Sequence, residues 1–177
     1  MTDNNELLGI EGNFSSIYFK KHFESIGWNN RAPQAREDIP NLLLDIGYTY
    51  LFNYVDDWKK TQSTVKNLLS TEYGTGPGGI SGNDDAGQMS AWYVFGAVGF
   101  YPVCPGSNEY QLSSPVFSRV TFNLDKKYYP GKKFVFEAEP GNNQNSFSKV
   151  ILNGKEIEPV ITHEDLQKGG RLEFLMK

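Results

Sequence analysis

The chain has 177 residues, of which 38% are apolar and 14% aromatic, and its net charge is −4. This composition suits one domain or two small ones with a packed core rather than a disordered chain. The acidic balance argues against binding to nucleic acid, and the sequence lacks the apolar run of about 18 residues that a membrane span needs. The single cysteine, Cys104, excludes an internal disulfide, and its small apolar side chain is expected to be buried.

Much of the chain before residue 74 has a helical pattern. Apolar side chains at three- and four-residue spacing predict a helix after residue 15. Asp38 and Pro40 are typical of the first turn of a second helix, which we expect to continue to about Val55. A further apolar stripe follows Asp57, so a third helix is predicted from there to Tyr73.

A glycine-rich loop, residues 74–79, leads to two adjacent carboxylates, Asp84 and Asp85. The loop lacks the Gly-Lys-Ser/Thr ending of a phosphate-binding loop, so it is either a backbone segment that approaches a ligand or a plain linker. An apolar run from Met89 to Phe100 predicts a buried helix that ends at the Gly99–Pro102 corner. Asp84 or Asp85 is expected to cap this helix, and capping is the simplest role for the pair.

The spacing of apolar residues changes to two after about residue 109. Residues 110–112, 116–124, 132–139 and 171–176 are predicted strands. Asn153-Gly154 predicts a type I′ hairpin between residues 149–152 and 155–161. Thr162 is expected to cap a short helical turn that has Asp165 at its third position. The predicted fold class is α+β, with helices to about residue 104 and an antiparallel β-sheet after them.

Three stretches resemble glycoside hydrolase family 92, the calcium-dependent, exo-acting α-mannosidases. The longest is GNDDAGQMSAWYVFGAVGFYPVCPGSNEY, over residues 82–110. Residues 50–62, YLFNYVDDWKKTQ, are similar to the YL-Y/F-NY…W-K-T-Q stretch of the family, and residues 113–117, SSPVF, are similar to its G/S-S-P-x-F stretch. The resemblance covers about residues 50–117, and the remaining sequence matches the family less specifically.

The resemblance implies a division of the chain into two parts. Residues 1–107 would be the C-terminal part of an (α/α)6 catalytic barrel, or toroid, and residues 108–177 a C-terminal antiparallel β segment. Family members are several times longer and usually begin with a secretion signal, which the polar first six residues do not resemble. The chain is therefore expected to be the C-terminal portion of a bacterial, periplasmic or extracellular enzyme. Its partners would be mannose-containing glycans and the N-terminal β-sandwich and barrel portion of the parent protein.

Inverting hydrolysis of a glycoside needs one carboxyl group as acid and another as base. The resemblance places the base on Asp85. It places the acid on Glu11, provided that Glu11-Gly12-Asn13 is the EGN stretch of the family. Asn83 occupies the position where some members carry a second, assisting aspartate. Asp84 and Gln88 are expected to lie next to the substrate.

The resemblance also implies a calcium ion that holds two adjacent hydroxyls of mannose, although it does not identify the calcium ligands in this chain. The GNEP-type stretch of the family should precede Tyr50, whereas residues 41–47 read NLLLDIG. This departure leaves the linkage specificity and the activity open. Two other readings remain beside that of an enzyme: a non-catalytic carbohydrate-binding or accessory module, and a degenerate paralogue. The chain alone is expected to be inactive, because the walls that orient the sugar lie elsewhere.

Overall fold

A short 3-10 helix, Thr49–Val55, opens the part of the chain that the structure describes. The structure is a computed structural model, and it describes residues 49–80, 82–104, 106–138 and 146–176. The helices predicted before residue 49, and with them Glu11, lie outside the described residues. The 3-10 helix occupies the place where the second predicted helix was expected to end.

Helix α1, Trp58–Thr71, begins where the sequence predicted. Asp57 is its N-cap, and a carboxylate oxygen of Asp57 accepts a hydrogen bond from the backbone N–H of Lys60 at 3.2 Å. This bond satisfies one of the backbone donors that the first turn of a helix leaves without a partner. The side chains of Val65 and Leu68 are buried on one face of the helix, so α1 packs as the apolar stripe indicated.

Helix α2, Gln88–Val98, is the buried helix predicted over Met89 to Phe100, but both of its ends differ from the prediction. The N-cap is Gly87, which has a φ of +94°, so the prediction of an aspartate at this position is wrong. The C-cap is Gly99, with a φ of +99°, a conformation that favours glycine because it has no Cβ. The helix therefore ends before Phe100, which begins a strand.

The first sheet has three antiparallel strands in the order β1-β2-β7. They are β1, Phe100–Tyr101; β2, Glu109–Leu112; and β7, Val160–Thr162. Phe100 lies opposite Leu112 and Tyr110 lies opposite Ile161. The chain thus passes directly from α2 into a sheet at the corner where the sequence predicted only the end of the helix.

The second sheet has five strands in the order β3-β4-β8-β5-β6. They are β3, Arg119–Asn123; β4, Lys133–Ala138; β5, Phe147–Leu152; β6, Lys155–Ile157; and β8, Gly170–Met176. All pairs are antiparallel except β4 with β8, which is parallel. The fold is mixed helix and sheet, as predicted, but this sheet is mixed rather than wholly antiparallel.

Two predicted turns are confirmed, and one predicted strand is divided. Asn153 and Gly154 have φ values of +50° and +84°, as a type I′ turn requires. Helix α3, His163–Lys168, begins with a capping box between Thr162 and Asp165. The strand predicted over residues 155–161 is instead β6 and β7, which belong to different sheets. Pro159 lies between them, and proline has no N–H to continue a ladder.

The hydrophobic core joins the two sheets to the end of α2. Its buried members are Val98, Phe100, Leu112, Phe134, Phe136, Ala138, Phe147, Val150, Ile161, Leu172 and Phe174. Cys104 lies outside the core and is exposed, so the prediction that its side chain is buried is wrong. Cys104 follows Pro102 in the connection between β1 and β2, outside both strands. The described helices and strands belong to one compact unit, residues 49–177.

Candidate functional site

The glycine-rich loop is a closed turn rather than an extended linker. Tyr73 and Ile80 form a β-bridge at its base. Inside the turn, the N–H of Gly74 donates to the carbonyl oxygen of Gly79 at 2.8 Å, and the N–H of Gly79 donates to the carbonyl oxygen of Gly76 at 3.0 Å. A Cβ on Gly79 would lie 2.5 Å from the carbonyl oxygen of Gly74, so only glycine fits there. The backbone of the loop is therefore held in a defined turn.

Three successive residues ahead of α2 have left-handed backbone conformations. The φ values are +49° at Asp85, +60° at Ala86 and +94° at Gly87. The N–H of Gly87 donates to the carbonyl oxygen of Asp84 at 3.1 Å, and the N–H of Gln88 donates to that of Asp85 at 3.3 Å. An alanine at positive φ is uncommon, because its Cβ crowds the backbone. The surrounding hydrogen bonds therefore hold this segment in a strained turn, as is frequent at functional sites.

The carboxylate of Asp84 binds the start of α2, although Asp84 is not its N-cap. One of its oxygens accepts a hydrogen bond from the N–H of Ser90 at 2.8 Å. Ser90 is in the first turn of the helix, so this bond replaces the side-chain bond that Gly87 cannot make. Asp84 is half-buried, and its carboxylate is committed to fixing the turn.

Asp85 lies at the tip of the turn, and its side chain is exposed. Asn83 and Gln88, the other two predicted site residues in this segment, are also exposed. In the described part of the chain, the side chains of these three residues have no hydrogen-bond partner, unlike that of Asp84. Two adjacent carboxylates thus have different surroundings: that of Asp84 is bonded to the helix, while that of Asp85 is exposed.

A row of aromatic side chains lies behind the turn. The rings of Tyr73 and Trp92 are stacked with centroids 5.9 Å apart, Trp92 is 6.5 Å from Tyr101, and Tyr101 stacks on Tyr50 at 5.2 Å. The hydroxyl of Tyr73 donates to the carbonyl oxygen of Met89 at 3.1 Å. Burial, together with the nearby charges of Tyr101 and Asp84, raises the pKa of Tyr73 to about 12. The row is a rigid support for the first turn of α2.

Tyr50 and Asn53 attach the 3-10 helix to the first sheet. The hydroxyls of Tyr50 and Ser113 are hydrogen-bonded at 3.0 Å, and both side chains are buried. Burial raises the pKa of Tyr50 far above its usual value. The amide nitrogen of Asn53 donates to the side-chain oxygen of Gln111 at 3.2 Å and to the carbonyl oxygen of Leu112 at 3.1 Å. Two of the stretches that resemble family 92 therefore bind each other.

Gln62 and Trp58 attach α1 to the second sheet in a similar way. The side-chain oxygen of Gln62 accepts hydrogen bonds from the N–H of Phe147 at 2.8 Å and from the hydroxyl of Ser114 at 2.5 Å. The ring of Trp58 stacks on that of Phe147 with centroids 5.3 Å apart. The W-K-x-T-Q and S-S-P stretches thus join helix to sheet, a structural role that the sequence resemblance did not identify.

The predicted site is only partly assembled by the described residues. The structure brings together Asn83, Asp84, Asp85 and Gln88, whereas Glu11 lies outside the described residues. In residues 49–80, 82–104, 106–138 and 146–176, no group of three or more His, Cys, Asp or Glu side chains could hold a metal ion. These residues therefore do not offer a carboxylate cluster for calcium. Sequence reasoning missed Tyr73, whose position just before the glycine-rich loop was the available signal.

Two family models match different parts of the chain. Residues 44–177 match the model described as the glycosyl hydrolase family 92 catalytic domain. Residues 1–58 match the model described as the CRISPR-associated protein Cas1. Glu11 lies in the second range and outside the first, so its role as the acid stays a prediction.

Among curated proteins, an uncharacterized secreted glycosidase of Arthroderma benhamiae is 28% identical over 131 residues, which are 72% of this chain and 17% of that protein. A CRISPR-associated endonuclease Cas1 of Francisella tularensis subsp. novicida is 30% identical over 142 residues, which are 75% of this chain and 44% of that protein.

Solved structures from Bacteroides thetaiotaomicron are also similar. A family GH92 α-mannosidase in complex with mannoimidazole has 34% identity and a TM-score of 0.67, and the match covers 75% of this chain and 17% of that one. A family GH92 inverting mannosidase has 36% identity and a TM-score of 0.67, covering 89% of this chain and 20% of that one. The chain spans about a fifth, or less, of the length of these glycosidases. In the described residues, no helix is long and apolar enough to cross a membrane.

Proposed function

Because the chain belongs to glycosyl hydrolase family 92, we propose that it is the C-terminal portion of an exo-acting, inverting α-mannosidase that hydrolyses α-mannosidic bonds of glycans. The observation that carries this proposal is the contrast between Asp84 and Asp85. One carboxylate is bonded to the helix, and its neighbour is exposed at the tip of a strained turn. A carboxylate that only capped the helix would not need to be in such a turn.

In the proposed reaction, Asp85 is the general base. It takes a proton from a water molecule as the water oxygen bonds to the anomeric carbon from the face opposite the leaving group. The bond from that carbon to the glycosidic oxygen breaks, and the leaving oxygen takes a proton from the acid, for which Glu11 is the candidate. General-base action of this kind typically accelerates a reaction by about 10²–10⁴.

The neighbours of Asp85 have supporting roles in the proposal. Asp84 fixes the turn through Ser90, so that the carboxylate of Asp85 keeps its direction. Gln88 and Asn83 are exposed on the same segment, where their amides can donate hydrogen bonds to the water or to the sugar hydroxyls.

Calcium enters the proposal as a requirement of the longer parent protein, with ligands outside the described residues. When bound, the ion would hold two adjacent hydroxyls of the sugar through oxygen coordination. No step above depends on it. Chelation should lower the activity of the parent protein, and added calcium should restore it. Since a fungal relative is named as a secreted glycosidase, we place the parent protein in the periplasm or outside the cell.

The decisive experiment compares Asp85→Asn with Asp84→Asn in the parent protein. Asparagine keeps the shape of aspartate but cannot accept the proton, so Asp85→Asn should lower kcat by about 10²–10⁴. Asp84→Asn keeps an oxygen that can accept from Ser90, so it should cost much less. If Asp84→Asn abolishes activity and Asp85→Asn stays within about tenfold of the wild type, the assignment is one residue off. If both variants stay active, the carboxylates serve only the turn, as in an accessory module.

The 177-residue chain provides a second test. It lacks most of the length of its relatives, and orientation of the substrate is a large part of the barrier reduction. Purified chain should therefore release no mannose from mannosides. Calcium-dependent release of mannose would contradict this part of the proposal.

A further inference from the structure

A cleft of about 490 Å³ lies on the second sheet, and its described lining residues do not include those of the turn that carries Asp85. Five of its lining residues are cationic: Arg119, Lys132, Lys133, Lys168 and Arg171. They come from four separate segments, namely β3, the start of β4, the end of α3 and β8. We call this site the basic cleft. Its concentration of positive charge contrasts with the net charge of −4 of the whole chain.

The two arginines of the basic cleft are already paired. Glu137 binds both Arg119, at 3.4 Å, and Arg171. Glu173 also binds Arg171, at 2.9 Å. The three lysines have no ion pair with any residue that the structure describes, and all three are exposed. They line one cleft, so their mutual repulsion would be offset by a bound anion.

The backbone around these lysines is held in place. A Cβ on Gly131 would lie 2.5 Å from the nitrogen of Gly169, so the two segments approach as closely as glycine allows. The N–H of Gly131 donates to the carbonyl oxygen of Gln167 at 2.9 Å. On the opposite side, the side-chain oxygen of Asn153 accepts from the N–H of Arg171 at 2.8 Å. The backbone segments that carry the cationic groups are therefore held next to one another.

The lining of the cleft favours a small oxyanion over a nucleic acid. Among the described residues, the only large apolar residue of the lining is Val135, which is buried. Proteins that bind single strands combine a basic groove with aromatic rings on which bases stack, and the described lining of the cleft has no such ring. Its volume is in the range of small-molecule sites, about 300–1,000 Å³. The acidic net charge also disfavours the approach of a long polyanion.

We propose that the basic cleft binds the phosphate or sulfate group of a small ligand, with Lys132, Lys133 and Lys168 as the charge partners. That the group is carried by a sugar rests on the proposed glycosidase function, but the binding of the anion does not. The ammonium group of lysine is a compact point charge. It therefore suits a phosphate or sulfate whether that group is part of a sugar ester or a free ion. The ligand therefore has two sources, a sugar ester or the inorganic anion, and the experiment separates them.

The test uses the 177-residue chain and three probes: mannose 6-phosphate, inorganic phosphate and mannose. Binding is measured by calorimetry and by changes in backbone amide shifts. Mannose 6-phosphate should bind more tightly than mannose and should shift the amides of Gly131, Gly169 and Gly170. The double variant Lys133→Gln, Lys168→Gln should bind at least about tenfold more weakly, since charge-assisted hydrogen bonds are lost. The matched control Lys59→Gln, Lys66→Gln removes the same charge from α1 and should bind like the wild type.

Each outcome decides the proposal. Tighter binding of the ester than of inorganic phosphate assigns the site to a sugar ester, and equal binding assigns it to the free anion. The proposal is overturned if neither phosphate binds better than mannose, or if the cleft and control variants lose binding equally. It is also overturned if a single-stranded oligonucleotide displaces the phosphate ligands at lower concentration, because the site is then one for nucleic acid. The binding experiment does not require mannosidase activity. A negative result would therefore count against the basic cleft and not against the proposed mannosidase function.

Discussion

Replacing Gln62 by leucine tests whether the family stretches join α1 to the second sheet. The side-chain oxygen of Gln62 accepts from Phe147 and Ser114 in a site where only 1% of the residue is exposed. Leucine has a similar size and helix propensity, so the change in stability reports the hydrogen bonds. The hydroxyl of Ser114 can rotate, but the N–H of Phe147 is left without an acceptor. A buried donor without a partner costs about 1–3 kcal/mol, so we expect the variant to lose about that amount of stability.

Urea unfolding of the 177-residue chain, followed by tryptophan fluorescence, measures this loss. Ser114→Ala and the double variant complete a cycle with Gln62→Leu. Since the two residues share a hydrogen bond, the double variant should lose less than the sum of the single variants, by about 1 kcal/mol. Ser63→Ala is the control, because Ser63 is on the exposed face of the same helix. Its effect should stay within about 0.5 kcal/mol. Additive losses, or a cost of Gln62→Leu below about 1 kcal/mol, would refute the reasoning.

Three other predictions follow from the described residues. Burial, with the charges of Tyr101 and Asp84, raises the pKa of Tyr73 from 10.0 to about 12, so the protonated form stabilises the fold. This contribution is complete below pH 10 and declines as the pH rises towards about 12. Unfolding of Tyr73→Phe should therefore depend less on pH in that window, and an unchanged dependence would contradict the shift. Gly99→Ala should cost about 1–3 kcal/mol, because the φ is positive and the new Cβ would lie 2.8 Å from a backbone oxygen. Gly96→Ala, whose Cβ would meet its neighbours at 3.5 Å or more, should instead be neutral or stabilising by up to about 1 kcal/mol in the same unfolding assay. Apolar side chains such as Val94 are 60% exposed, so the isolated chain should self-associate. Sedimentation should show this, and a strictly monomeric chain at high concentration would count against it.

The elements that the sequence predicted correctly are those decided by neighbouring residues. The start of α1 after Asp57, the Asn153-Gly154 turn and the capping box at Thr162 each depend on groups within a few positions. Membership of family 92 was also readable from contiguous letters, and the match over residues 44–177 confirms it. The predicted N-cap of α2 was wrong because Asp84 binds Ser90 from six residues away. The turn between them includes Ala86 in a left-handed conformation, which the backbone preference of alanine does not predict.

The sequence alone determined most of the segments that form helices and strands, and it located the carboxylates that stand ahead of α2. The tertiary structure alone decided what those residues contact. It divided one predicted strand between two sheets, made Gln62 a link to Phe147, and gave Asp84 and Asp85 different surroundings. It also brought together the lysines of the basic cleft, which are up to 36 positions apart along the chain. Propensities and caps act through nearby backbone groups, whereas burial, register and charge clusters depend on residues that only folding brings into contact.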